Sequence, residues 1–240
     1  MPASRSPIVV CTYNVHGFVG RDRRCDVERI AQVVRQIDPD VLGLQEVDCR
    51  RDCDSLRRLA HATELESIAG PTMGDGESFY GNALLTRFPV GDVVRVDISE
   101  RGREPRGLLD VAVAVGGIGM QCLVVHFGLQ GLERRRQAQR VCERVGGQGP
   151  TLLLGDLNEW QPKAGSLGRL RSTLGPGRGV RSYPSGFPLL ALDWVWVRPN
   201  AALLDVRAHR TPLAAVASDH LPVVGRIDVG ALELAASSSS

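Results

Sequence analysis

The chain has 240 residues, with 29 basic and 27 acidic side chains and a formal net charge of +2. A core at this length can bury about 70–75% of the surface that the unfolded chain exposes, and 43% apolar with 23% charged residues is ordinary for a soluble globular protein. The near balance of charge excludes a strongly basic nucleic-acid binder, although it leaves room for a local basic cleft.

Residues 8–13 form a short β-branched, apolar run that ends in a polar cluster, the pattern of a buried strand emptying into a site. Val27, Ile30, Ala31, Val34 and Ile37 then recur at helical spacing. Asp38 and Pro39 end that helix, because the residue before proline avoids the α region. A second apolar strand at 41–47 carries Gln45 and Glu46 at its end, and a helix covers 54–63. The pattern then changes to short strands at 66–69, 80–87, 90–97, 107–115 and 118–126, with Val111, Val113 and Val115 alternating with alanines. A helix at 132–145 places Ala138, Val141, Cys142 and Val145 on one face and stops at Gly146 and Gly147. The strand at 151–155 leads into Asp156. The stretch 165–186, rich in Gly, Ser, Pro and Arg, is expected to be loop with one helical turn. Strands resume at 192–197, 203–210 and 222–229, and 235–240 is expected to be a disordered tail. No composition break or internal repeat divides the chain. Residues 1–234 are therefore expected to form a single α/β domain of two packed, mixed sheets with helices outside.

The longest uncharged stretch, 111–125, has 15 residues and is interrupted by glycines. It is shorter than the roughly 18 residues that span a bilayer and reads as two strands joined by a glycine turn. The six cysteines are Cys11, Cys25, Cys49, Cys53, Cys122 and Cys142. In a long chain whose start lacks the basic and apolar regions of a signal peptide, they are expected to be free thiols in a reducing, cytoplasmic setting.

Polar clusters stand where the apolar runs end: Thr-Tyr-Asn-Val-His at 12–16, Leu-Gln-Glu at 44–46, Val-Val-His-Phe at 124–127, Gly-Asp-Leu-Asn at 155–158, Leu-Asp-Trp at 192–194 and Ser-Asp-His-Leu-Pro at 218–222. Each alone has a structural explanation: Asn14 as a turn residue, Asp156 as a helix N-cap, Ser218 and Asp219 as turn formers. Together they assemble oxygen donors, Asn14, Glu46, Asp156, Asn158 and Asp219, of the kind Mg²⁺ prefers. Converging acids without a cation would repel one another and raise each other's pKa. His126 and His220 add two groups that titrate near neutrality. This is the inventory for metal-assisted attack of water on a phosphoester.

The ordered set resembles the endonuclease/exonuclease/phosphatase superfamily, and the resemblance runs from Asn14 to His220. It implies a DNase I-like four-layer α/β sandwich with the site between the edges of two sheets, and Mg²⁺ as cofactor with Mn²⁺ as an alternative. Residue by residue, it implies that Glu46 is the principal metal ligand, assisted by Asn14 and Asp219. Asp156 orients or deprotonates the attacking water, and Asn158 donates to phosphate oxygens. His220 contacts the scissile phosphate, Asp193 holds His220 in position, and His126 reaches a second phosphate oxygen. The stretch Arg103-Glu-Pro-Arg106 is similar to one in DNase-type members and offers Arg103 or Arg106 as a phosphate ligand. Asn82 lies in a segment, 80–90, similar to a family stretch near the cleft.

The reading is a Mg²⁺-dependent phosphodiesterase or phosphatase, acting on a small molecule or a lipid head group and working as a monomer with no protein partner. The alternative is a DNA endonuclease or exonuclease, abasic-site enzymes included, motivated by the arginines at 21–24, 50–51, 57–58 and 134–136, which could line a phosphate backbone. A third reading is a catalytically inactive binding module on the same fold.

Overall fold

Alternation along the strands decides the architecture. In the computed structural model, which describes residues 6–147 and 149–237, the first strand β1 (Ile8–Asn14) buries Ile8 and Val10 on one face and Cys11 and Tyr13 on the other. A strand buried on both faces needs a layer above and below it. Helices α1 (Val27–Ile37) and α2 (Ser55–Thr63) supply one layer, through Ile30, Ala31, Val34 and Leu59. Asp26 caps α1 by accepting a hydrogen bond from the Arg29 amide, and the left-handed Asp38 closes it before Pro39. Strands β2 (Val41–Asp48), β3 (Glu66–Asp75) and β4 (Ser78–Thr86) extend the sheet on one side.

The second sheet is built from β5 (Val90–Asp97), β6 (Gly107–Val115), β7 (Ile118–His126) and β8 (Thr151–Asp156). The β6–β7 hairpin turns at Gly116 and Gly117, both at positive φ, as the glycine pattern leads one to expect. Helix α3 (Gly131–Arg144) crosses from β7 to the parallel β8, and a capping box between Gln130 and Glu133 opens it. Next come α4 (Gly165–Leu174), the two-residue β9 (Arg178–Gly179), β10 (Asp193–Arg198), β11 (Leu203–Ala208), α5 (Ala214–Ala217), β12 (Val223–Ile227) and α6 (Val229–Ser237). The strand orders are β11-β12-β1-β2-β4-β3 and β5-β6-β7-β8-β10-β9, two mixed sheets of six strands each. Val10, Val41 and Leu84 of the first sheet pack against Val111, Val124, Leu154 and Val195 of the second. Helices α3 and α4 cover the outer face of the second sheet through Ala138, Val141, Leu167 and Leu170. The order helix, sheet, sheet, helix is the expected four-layer DNase I-like sandwich.

Three segments differ from expectation. Residues 165–174 form a full helix, α4, where a loop with a single turn was expected. Gly165, Ser166 and Gly168 depress its helix propensity, but Leu167, Leu170 and Leu174 bury one stripe against the α3 layer, and tertiary burial wins. The final strand ends at Ile227, and α6 carries the chain through Ser237, so 235–237 are helical rather than disordered. Leu232 anchors that helix in the core, and the alanines around it are strong helix formers. Residues 238–240 lie outside the described residues. β3 runs to Asp75, well beyond 66–69, because β4 pairs with it along its whole length. Among the described residues, no helix is long and apolar enough to cross a membrane, and all six thiols are free.

One glycine sets how closely the sheets approach. A Cβ at Gly43 of β2 would lie 2.9 Å from the Leu154 Cβ of β8 and 3.3 Å from a Val124 methyl of β7. Gly43→Ala is expected to destabilise the fold by about 1–3 kcal/mol through overpacking, read as a lower denaturation midpoint at unchanged slope. An unchanged midpoint would show that the two sheets have slack there.

Candidate active site

The between-sheet row of each central strand is apolar until one end of the sandwich, where it turns polar. The rows read Ile8-Val10-Thr12-Asn14 in β1, Cys122-Val124-His126 in β7 and Leu152-Leu154-Asp156 in β8. β10 runs antiparallel to β8, so its row starts at that end with Asp193, ahead of Val195 and Val197. Register places His126 and Asp193 on either side of Asp156. Asn14 reaches across from the facing sheet and donates one amide group to Asp156 Oδ2 at 3.1 Å and to Glu46 Oε1 at 2.9 Å.

Glu46 arrives by a different device. Strict alternation would turn it toward the helix layer with Leu42 and Leu44. Instead, the register between β2 and β4 slips between Leu44 and Val47, and Glu46 sits at φ +56°, in the left-handed region. The bulge re-aims the carboxylate toward Asn14 and His126, whose Nε2 lies 3.9 Å from Glu46 Oε1.

His220 enters on the loop between α5 and β12. Its Nδ1 is 2.8 Å from Asp193 Oδ2 and its Nε2 is 3.6 Å from Asp156 Oδ2. The Ser182 hydroxyl donates to the same Asp193 oxygen, and the Tyr183 ring lies 4.9 Å from the imidazole, centre to centre. The Ser218 hydroxyl donates to the Asn14 carbonyl at 2.7 Å, and the His220 amide donates back to it at 3.3 Å, which ties the histidine loop to β1. Ser218 lies in the polar cluster read at 218–222, there as a turn former, whereas Ser182 and Tyr183 escaped the sequence reading because an irregular loop brings them in. No period or spacing marks such positions.

Asn158, at φ +49°, donates its backbone N–H to Asp156 Oδ1 at 2.9 Å and its side-chain amide to the Phe127 carbonyl at 2.9 Å, with His126 Nε2 at 3.1 Å. Arg106 is buried and grips Glu104 through both terminal nitrogens, at 2.8 and 3.2 Å, while its Nε has no partner among the described residues. With Asn82, Tyr80 and His126 it lines a narrow crevice beside the cleft. Asn82 donates to the Gly107 carbonyl at 2.9 Å. Arg103 is not brought in: it stays exposed on the turn before β6, its amide bonded to the Glu100 carbonyl. Asp219 stands at the rim, its carboxylate 3.9 Å from His16 Nδ1, and its carbonyl accepts from the Ser185 amide.

Burial raises the Asp156 carboxyl to about 7, with Asp193 adding to the effect and His220 opposing it. For His220, burial opposes charging, but the Asp193 and Asp156 carboxylates outweigh it and push the imidazole up to about 10. Burial, with Arg106 and His220 nearby, holds His126 well below its ordinary value, so it stays neutral. Asp156, Asp193 and His220 each present one ligand atom within 4.8 Å of the others, close enough to share a cation.

These values fix a pH dependence of stability without metal. His220 titrates near 6.5 when unfolded and about 10 when folded, so its contribution is complete below pH 6.5 and lost as pH rises through 10. The buried Asp156 becomes costly to ionise between pH 3.8 and about 7, also with rising pH. In EDTA the denaturation midpoint is therefore expected to fall between pH 7 and 10, and His220→Asn is expected to flatten that fall. A variant with the wild-type slope would contradict the assignment.

The Endonuclease/Exonuclease/phosphatase family pattern matches residues 11–220, and the chain belongs to that family. The members of this superfamily are largely hydrolases acting on phosphoesters, with phosphatases, phosphodiesterases and nucleases among them. The uncharacterized protein YbhP of Escherichia coli K12 is 29% identical over 246 aligned positions, covering 91% of this chain and 95% of YbhP. An endonuclease/exonuclease/phosphatase from Beutenbergia cavernae DSM 12333 superposes with a TM-score of 0.72 at 24% identity, over 93% of this chain and 72% of that one. A mannosyl-6-phosphatase of Bacteroides thetaiotaomicron VPI-5482 superposes with a TM-score of 0.72 at 18% identity, over 91% and 98%. At these identities the two structures speak for the fold.

Proposed function

We propose that the protein is a Mg²⁺-dependent phosphodiesterase or phosphatase acting on a small-molecule or lipid head-group ester. The observation that carries this reading is the position of Asp156, buried between His126 and His220 and hydrogen-bonded by the same Asn14 amide that holds Glu46. The residues fit a hard cation: the donors are oxygens, Asp156 is a carboxylate whose charge burial disfavours, and Asp193 Oδ1 is buried without a partner among the described residues. Glu46, with Asn14 and Asp219, would hold Mg²⁺ or Mn²⁺, which when bound supplies positive charge to the phosphate oxygens.

The chain's own groups divide the remaining work. Asp156, titrating near 7, takes the proton of the attacking water as the water oxygen bonds to phosphorus. The ester P–O bond breaks, and the leaving oxygen receives the Nε2 proton of His220, which Asp193 keeps charged and oriented. His126 and Asn158, with Arg106 and Asn82 behind them, face the non-bridging oxygens, where added negative charge develops.

The pairing of five of the ten arginines at 21–24, 50–51, 57–58 and 134–136 favours a small substrate over DNA. Arg50 binds Asp48, Arg57 binds Asp54, Arg58 binds Asp52, Arg136 binds Glu100, and Arg134 is buried on Glu159. The groove beside Glu46, about 360 Å³, is walled in part by Asp48 and Asp52, whose charges those arginines already balance, which leaves Arg51 as the one unpaired base in its wall among the described residues. A panel of soluble phosphomonoesters and phosphodiesters, lipid head-group esters, plasmid and abasic duplex, each with Mg²⁺, tests this. Turnover of the small or lipid esters with little DNA cleavage is expected. DNA as the preferred substrate, with a steep salt dependence, would establish the nuclease alternative instead.

A further inference from the structure

Eight large apolar side chains stand exposed among the described residues, and six of them lie on segments beside the site: Leu129, Leu132, Trp160, Phe187, Leu189 and Val216. Five of these six are between 50% and 71% exposed. Leu129 is three residues beyond His126, and Trp160 is two beyond Asn158. Phe187 is four beyond Tyr183, whose ring lies tilted against the His220 imidazole. Arg21 joins the last two segments: its amide donates to the Val216 carbonyl at 2.9 Å, and its guanidinium lies over Gly186.

The loops are held from below. Buried Arg134 donates to the Leu129 carbonyl at 2.6 Å and to Glu159 at 3.0 Å, and Ser166 donates to the same Glu159 oxygen at 3.0 Å. Gln137 accepts from the Gly128 amide at 2.8 Å. Polar feet and apolar tips mean that the tips are displayed, since the polar network prevents the loops from folding their apolar side chains inward. Charge points the same way. In 127–136, 157–165, 180–192 and 209–217 the acids are Glu133 and Glu159, both buried, while Arg135, Lys163, Arg181 and Arg210 are exposed and make no ion pair among the described residues; the partly exposed Asp219, two residues further on, is outnumbered by these bases.

We propose that this rim seats on an anionic lipid bilayer, with the mouth of the cleft turned toward the head groups. An exposed apolar patch with basic residues around it, tryptophan included, suits the boundary between head groups and acyl chains. A protein covering the rim would close the cleft it flanks, whereas a head-group layer covers the apolar tips and carries phosphoesters to the cleft. That second role rests on the phosphoesterase reading. Nucleic acid suits the rim poorly, since four of its six side chains are aliphatic and cannot stack on bases.

Sedimentation of the full chain with phosphatidylcholine vesicles, with and without phosphatidylserine, tests the proposal. The wild type is expected to bind the phosphatidylserine vesicles, more weakly at high salt. Its fluorescence is expected to shift to the blue, a change that reports Trp160 because Trp194 and Trp196 are buried. The double variant Leu129→Ser, Phe187→Ser is expected to lose at least about tenfold in vesicle partition while keeping its turnover of bis-p-nitrophenyl phosphate. Leu204→Ser, at an exposed apolar position on β11, is expected to bind like wild type. No vesicle binding, undiminished binding by the double variant, or a wild-type dimer that the double variant dissolves would each overturn the proposal. Turnover without vesicle binding overturns the docking alone, and binding without turnover of any phosphoester overturns the phosphoesterase reading alone.

Discussion

His220→Ala is expected to lower kcat on a soluble phosphodiester by about 10²–10⁴-fold, the range spanned by a positioned proton donor. Two features make the loss large. The imidazole is a charged donor because Asp193 accepts from Nδ1 at 2.8 Å, and its Nε2 sits 3.6 Å from Asp156. Alanine removes the proton for the leaving oxygen and the positive charge beside Asp156 in one step. It also leaves Asp193 buried with Ser182 as its remaining partner of the pair, so the variant is expected to be less stable near neutral pH as well. Circular dichroism on the same sample separates the two effects. A folded variant that turns over at the wild-type rate would remove His220 from the reaction.

Glu46→Ala is expected to raise the Mg²⁺ concentration for half-maximal activity by at least about 100-fold, since groups that merely support a metal ligand already account for 10–100-fold. The geometry gives Glu46 this weight. It is held in a left-handed backbone conformation at a bulge, and its carboxylate shares the Asn14 amide with Asp156. Loss of the carboxylate also relieves the crowding of acids around Asp156, so the metal-free variant is expected to be at least as stable as metal-free wild type. An unchanged Mg²⁺ requirement would move the cation to another set, of which Asp156, Asp193 and His220 is the one the structure offers.

The site was legible in the sequence wherever it follows the strand period. Asn14, His126, Asp156 and Asp193 each continue an apolar between-sheet row, so reading the alternation to its end finds them. Glu46 breaks that period, and the motif around it, rather than its phase, marked it out. Arg103 and Arg106 flank the same Glu-Pro pair, yet the turn leaves one in solvent and buries the other, a distinction that depends on where β6 begins. Ser182 and Tyr183 were invisible because the segment that carries them has neither period nor regular hydrogen bonding. Helix α4 was missed for a related reason: glycine and serine suppress its local signal, and only packing against the α3 layer reveals the leucine stripe.

The most direct measurement is the initial rate of bis-p-nitrophenyl phosphate hydrolysis by the purified wild-type chain, first in EDTA and then after Mg²⁺ is restored in excess. Turnover that is absent in EDTA and returns with Mg²⁺ is expected from a cleft built of Glu46, Asn14 and Asp156 around a cation. Turnover that continues unchanged in EDTA would contradict the metal-dependent site.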